Sequence, residues 1–231
     1  MSARYAVYYG PALGSPWWNF GAHWLGRDES TGKDLPQPLL AQFTPVELRL
    51  ITTSPRRYGF HATVKAPFHL SGKHTLDDLR ARLEELASTL KPVALGPLQA
   101  VTLGNFVALT PLTPPTELCT LAGTCVTDLD DLRAPLTPAD LARRQSVPLD
   151  AREQALLLQY GYPHVLERYQ LHFTLSGPVA HESAQRVLQA VVEPVAQLNQ
   201  KAPLMLDRLC LFVEPAPGEA FRRIADVRLG A

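Results

Sequence analysis

Arg57-Tyr58-Gly59-Phe60-His61-Ala62-Thr63-Val64 and Arg168-Tyr169-Gln170-Leu171-His172-Phe173-Thr174-Leu175 are two versions of one pattern, Arg-Tyr-x-hydrophobic-His-x-Thr-hydrophobic. Each carries a proline six residues past its histidine, Pro67 and Pro178. Apolar and polar residues alternate, which is the period of a half-buried strand. Successive side chains on a strand point to opposite faces. Tyr58, Phe60, Ala62 and Val64 are therefore expected in a core, with Arg57, His61, Thr63 and Lys65 opposite. The second copy, expected as a strand over 166–176, turns Tyr169, Leu171, Phe173 and Leu175 inward and Arg168, Gln170, His172, Thr174 and Ser176 outward. Two strands with the same His-x-Thr pair predict a site with two histidines. The plain alternative is two ordinary strands whose wet faces each carry a histidine. Shared periodicity, polarity and a helical pattern after each copy favour the site.

The flanking sequence suggests two similar units. Arg4–Tyr9 reads as an opening strand stopped by Gly10-Pro11, and Ser15-Pro16 as a helix cap followed by proline at the first helical position. A short helix is expected near Pro45–Leu50. After the first copy, Thr75 with Asp78 opens a helix with Leu76, Leu79, Leu83, Leu86 and Leu90 as its stripe. Strands are expected at 93–101 and 106–110. After the second copy, a helix near 181–199 carries Val187, Leu188, Val191, Val195 and Leu198 on one side, and strands follow near 204–213 and 221–229. The chain thus divides into a first unit over roughly 1–111, a mostly helical connection over 112–160 and a second unit over 161–231. A pseudo-two-fold axis would bring His61 and His172 to one cleft.

Composition narrows the class. A 231-residue chain with 46% hydrophobic and 19% charged residues has the makeup of a globular protein with a substantial core. Its 22 basic and 22 acidic residues cancel, so it lacks the broad positive footprint used to bind long nucleic acid, leaving short RNA ends as the most that is expected. Three cysteines without a Cys-x-x-Cys spacing point to buried, reduced thiols, with neither a disulfide framework nor a zinc site. No apolar run is long enough for a bilayer, and Met1-Ser2-Ala3-Arg4 does not open a secretory signal. A cytoplasmic protein without a membrane or an obligatory protein partner is the expectation. Twenty-one prolines are expected to limit helix length.

His61-Ala62-Thr63-Val64 and His172-Phe173-Thr174-Leu175 resemble the paired His-x-Thr-hydrophobic signature of the two-histidine (2H) phosphoesterase superfamily, which includes 2′,5′-RNA ligase-like proteins and cyclic nucleotide phosphodiesterases. The wider run from Pro55 to Phe68, with Trp24-Leu25-Gly26-Arg27-Asp28, is similar to a bacterial branch encoded beside phosphonate-utilisation genes. The resemblance covers nearly the whole chain, least securely over 112–160. It implies a bilobal α+β fold of antiparallel sheets flanked by helices, a metal-free site without cofactor, and a hydrolase opening a small cyclic phosphodiester derived from ribose or a nucleotide. The alternatives are RNA-end processing or 2′,5′ ligation, and a nucleotide- or RNA-binding module without catalysis.

The residue types suit phosphate chemistry. Histidine titrates near neutrality, so one neutral and one protonated imidazole serve as base and acid, and a bell-shaped pH profile follows. Thr63 and Thr174 lie about 7 Å along a strand from their histidines, on the same face, where their hydroxyls can donate to phosphoryl oxygens. Arg57, Lys65 and Arg168 share that parity as candidate phosphate contacts, against the alternative of solvated strand ends. Trp17, Phe20 and Trp24 have the spacing of a buried helix face, leaving Trp18 as the aromatic candidate for a ligand contact. Tyr58 and Tyr169 are expected in the core, and His69, His74, His164 and His181 in structural or exposed places.

Overall fold

The computed structural model describes residues 3–145 and 147–230. Seven strands form an antiparallel sheet in the order β4-β5-β6-β2-β1-β8-β9, with β1 at Arg4–Tyr9, β2 at Ala62–Phe68, β4 at Leu98–Leu103, β5 at Phe106–Pro111, β6 at Phe173–Thr174, β8 at Arg208–Glu214 and β9 at Arg222–Arg228. Two short strands, β3 (Val93–Ala94) and β7 (Met205–Leu206), pair separately. The expected 93–101 strand is broken by Gly96, at φ 66°, and Pro97.

Helices flank this sheet, and local sequence explains where they start. Ser15 accepts from the Trp18 amide to cap α1 (Pro16–Leu25), and Thr44 and Thr75 form capping boxes at α2 (Pro45–Ile51) and α4 (Leu76–Thr89). A further helix, α3, covers Thr53–Arg56. The connection supplies α5 (Thr116–Asp128), α6 (Pro138–Arg144) and α7 (Ala151–Tyr160). The last helix, α8 (His181–Lys201), runs 21 residues with Pro194 inside it, longer than the proline content suggested. Its buried stripe of Ala184, Val187, Ala190, Val191 and Val195 on the sheet stabilises it against the loss of one helical hydrogen bond. Among the described residues no helix is long and apolar enough to cross a membrane.

The main core lies on one sheet face, where Val7, Tyr9, Phe60, Ala62, Val64, Val107, Leu109, Leu171, Phe173 and Leu175 meet leucines of α4 and valines of α8. Trp17 and Trp24 are buried there, their indoles donating to the carbonyls of Ala202 (2.7 Å) and Leu175 (2.8 Å). Of the thiols, Cys125 and Cys210 are buried and Cys119 is exposed, against the expectation for all three.

Pairing joins the two halves closely. The β4–β5 hairpin follows the first His-x-Thr strand in sequence yet bonds to the second, through Ala108↔Thr174 and Leu109↔Phe173. The β8–β9 hairpin follows the second copy and bonds to β1. The two His-x-Thr strands are neighbours at the centre, joined through Ala62↔Phe173.

Both copies are shorter strands than their alternation suggested. Residues 57–61 precede β2, because Gly59 turns the chain at φ 81°. In the second copy Leu166–Arg168 is a 3-10 turn entered with Leu166 at φ 52°, and only Phe173–Thr174 pairs as β6.

Candidate active site

Antiparallel pairing of Ala62 with Phe173 sets His61 across from Thr174 and Thr63 across from His172. Facing residues in such a pair have Cβ atoms about 5 Å apart, and diagonal ones, here the two histidines, about 7–8 Å. The two His-x-Thr pairs therefore interlock head to tail on the sheet face opposite the main core. That crossing brings together side chains 111 positions apart.

The same local device orients each imidazole. His61 Nδ1 lies 2.9 Å from the Gly59 carbonyl, and His172 Nδ1 lies 2.9 Å from the Gln170 carbonyl. A carbonyl only accepts, so Nδ1 carries the proton and Nε2 is the free lone pair in each neutral ring. His61 Nε2 accepts from the Thr63 hydroxyl 3.4 Å away. Tyr8 stacks on His61 at 3.8 Å, and Phe106 flanks His172 at 5.8 Å.

Burial pushes the His61 pKa down to about 4; its Gly59 hydrogen bond opposes this, and a like charge on His172 adds to it. His172 is lowered as well, chiefly by burial, with its Gln170 hydrogen bond opposing. Both rings are neutral bases near pH 7, each ready to take a proton once an anion supplies opposite charge.

A cavity of about 360 Å³ opens over His61, Thr63 and Thr174, walled by Tyr8, Tyr58, Tyr162, Arg4, Arg144 and Phe106. A second, also about 360 Å³, contains His172, Gln170, His164 and Arg168 and shares Thr63, Ala66, Phe106 and Tyr162 with the first. The connection builds one wall, since Arg144 ends α6 and Tyr162 follows α7.

The other expected contacts lie around this centre in different ways. Lys65 is 3% exposed, its Nζ donating to the Val126 carbonyl (3.0 Å) and Asp130 (3.2 Å) at the end of α5. Arg57 pairs with the buried Glu214 and donates to the Glu219 carbonyl at 3.0 Å. Arg168 lines the second cavity and pairs with Asp150 at 2.7 Å. Trp18 donates to the buried Glu29 at 2.8 Å and is not among the residues lining either cavity.

Tyr58 departs from the core placement expected of it. Its ring stacks on Phe221 at 5.0 Å and faces the first cavity, because strand parity does not apply before Gly59. Tyr169 packs against the core and donates to the Thr63 carbonyl at 3.0 Å, bracing the strand under the site. Arg4, Arg144 and Tyr162 had no signal in the His-x-Thr pattern. Only the pairing of β1 with β2 and the path of the connection bring them here.

Among the described residues no group of three or more His, Cys, Asp or Glu side chains is placed to hold a metal ion.

Residues 63–222 match the model of a family described as "Protein of unknown function (DUF1045)", and the chain belongs to that family. A protein of Janthinobacterium sp. (strain Marseille) named ribose 1,5-bisphosphate phosphokinase PhnN is 36% identical over 221 residues, covering 94% of this chain and 49% of the relative. A protein of the same name from Laribacter hongkongensis (strain HLHK9) is 34% identical over 219 residues, covering 95% of this chain and 50% of the relative. The chain spans about half the length of the curated relatives it matches. These names correct the activity expected from sequence. They describe a kinase, which overturns hydrolysis of a small cyclic phosphodiester.

Proposed function

We propose that this member of the DUF1045 family is an enzyme of ribose-phosphate chemistry. It seats a phosphoryl group of a small phosphorylated sugar between His61–Thr63 and His172–Thr174 and moves protons there with the two imidazoles. The crossed pairing through Ala62 and Phe173 carries the reading, since it aims two basic nitrogens and two hydroxyls at one face of the sheet. The hydroxyls donate to phosphoryl oxygens, and the imidazoles gain a proton as negative charge arrives. Arg168 extends the site on the His172 side.

The same crossing supports kinship with the 2H superfamily and a single bilobal domain over 1–231, its halves meeting where β2 joins β6. A role in phosphonate metabolism accords with the bacterial branch that the motifs resemble. The relatives' names supply the ribose bisphosphate and the phosphoryl-transfer class. The nucleotide-cradling pattern Gly-x4-Gly-Lys-Ser/Thr does not occur in the 231 residues, and we place the phosphoryl donor of such a kinase on the part of the relatives outside the match.

Calorimetric titration with ribose 5-phosphate tests the reading. Binding that weakens at least about tenfold in Thr63→Val and Thr174→Val, with folding verified by circular dichroism, supports it. No binding of the sugar phosphate, or binding unchanged by these and by His61→Ala and His172→Ala, overturns it.

A further inference from the structure

The first cavity is longer than one phosphoryl group needs, and its far end is built differently. Arg4 stands four residues before Tyr8 on β1, and Tyr8 pairs with Thr63. That places the Arg4 backbone about 13 Å along the strand from the His–Thr centre, with its side chain lining the same cavity. Arg144 enters from α6, its guanidinium 4.8 Å over the Tyr162 ring and donating to the Pro67 carbonyl at 3.2 Å. Arg4 and Arg144 both line this cavity together with Tyr8.

The charge balance there favours an anion. Arg4 and Arg57 share one carboxylate, Glu214, which is 1% exposed. With Asp140 beside Arg4, two carboxylates stand against the three guanidinia of Arg4, Arg57 and Arg144. Asp140 lies within electrostatic range of Arg4 and also caps α6 through Thr137. No Asp or Glu is among the described residues that line the cavity, whereas Arg4 and Arg144 are. A concave, partly dry wall focuses such a field, and a guanidinium fork matches phosphate oxygens. The volume of about 360 Å³ falls in the range of small-ligand sites.

We propose that this cavity takes a sugar bearing two phosphoryl groups, one at the His–Thr centre and the second at Arg4 and Arg144. The inference rests on the proposed reading of the centre and deepens it to a bisphosphorylated substrate class. The sugar ring spans the middle, between Tyr8 and Tyr58. A monophosphate fills only one end.

The test compares ribose 5-phosphate with ribose 1,5-bisphosphate by calorimetry on the full chain, in the unsubstituted protein, Arg144→Met and Arg4→Lys. The bisphosphate is expected to bind about tenfold or more tighter than the monophosphate. Arg144→Met is expected to remove that advantage while changing monophosphate affinity less than about twofold. Arg4→Lys keeps the charge against Glu214, and with it the fold, but loses the fork; it should erode the bisphosphate advantage only. Equal affinity for the two sugars, or variants that weaken both alike, overturns the second subsite and leaves the His–Thr reading standing. Binding of neither sugar overturns both.

Discussion

Acid should destabilise this protein through the site itself, and His61 gives the magnitude. Its imidazole is held at about 4 against an ordinary 6.5, because burial strips water from the charged ring; the Gly59 hydrogen bond opposes this shift and a charge on His172 adds to it. The unfolded chain therefore takes up a proton near pH 6.5 that the folded protein accepts only near pH 4. Between those values the unfolded state binds more protons, so stability falls as pH is lowered through the window and levels off below it. The slope at mid-window is about 1.4 kcal/mol per pH unit, with a ceiling of about 3 kcal/mol for the whole shift. Because the ring is half-buried, solvent in the cleft trims that ceiling. His172 is lowered too and adds in the same direction. Urea unfolding from about pH 7 to about pH 4.5 measures the loss, and His61→Asn should flatten the slope by about 1 kcal/mol per unit. Identical slopes in the two proteins, or an NMR titration placing His61 near its ordinary value, refute the reasoning.

Three further substitutions separate scaffold from site. Gly59→Ala forces a side chain onto a φ of 81° with its Cβ 2.5 Å from the buried Cβ of Glu29, and it displaces the carbonyl that orients His61. A loss above about 2 kcal/mol in denaturant unfolding, with a changed His61 tautomer in nitrogen-15 spectra, is expected, whereas Gly96→Ala, at φ 66° with open space around it, should cost only about 1 kcal/mol and leave the tautomer alone. Lys65→Met removes a buried ammonium from Val126 and Asp130 while Arg133 still pairs with Asp130 at 2.9 Å, so it should lower the melting temperature and leave ribose 5-phosphate affinity within about twofold. A normal melting temperature with lost affinity would instead put Lys65 on the ligand.

Period-two alternation was enough to assign the inward residues around each histidine, because Phe60, Ala62, Val64, Leu171, Phe173 and Leu175 are all buried. It was also enough to put His and Thr on a common face. It failed where the backbone leaves the strand. Gly59 and Leu166 adopt left-handed φ, and neither position carries a hydropathy signal that marks the break. Tyr58 was consequently assigned to the wrong side. Capped helices were legible at Ser15 and Thr75, since a cap is a local hydrogen bond written in four residues. The pairing partners were not. Which hairpin lies beside which His-x-Thr strand depends on contacts far apart in the chain, and Arg4 and Arg144 enter the site only through them.

That pairing also explains why the site belongs to the whole sheet. β6 has two residues, too few to hold His172 and Thr174 by its own ladder. It is fixed from both sides, by β2 through Ala62↔Phe173 and by β5 through Ala108↔Thr174. β5 comes from the chain before the connection, whereas β8, which holds β1 beside β2, comes from after it. The first half thus supplies the hairpin beside the second half's His-x-Thr strand, and the second half supplies the hairpin beside β1, the neighbour of the first. The connection closes the arrangement by laying α5 against β2 and the turn at Leu166–Arg168, with Arg144 and Tyr162 on the cavity wall. Repetition in the sequence singled out the two His-x-Thr pairs, and exchange of hairpins in the fold sets them side by side on one face of the sheet.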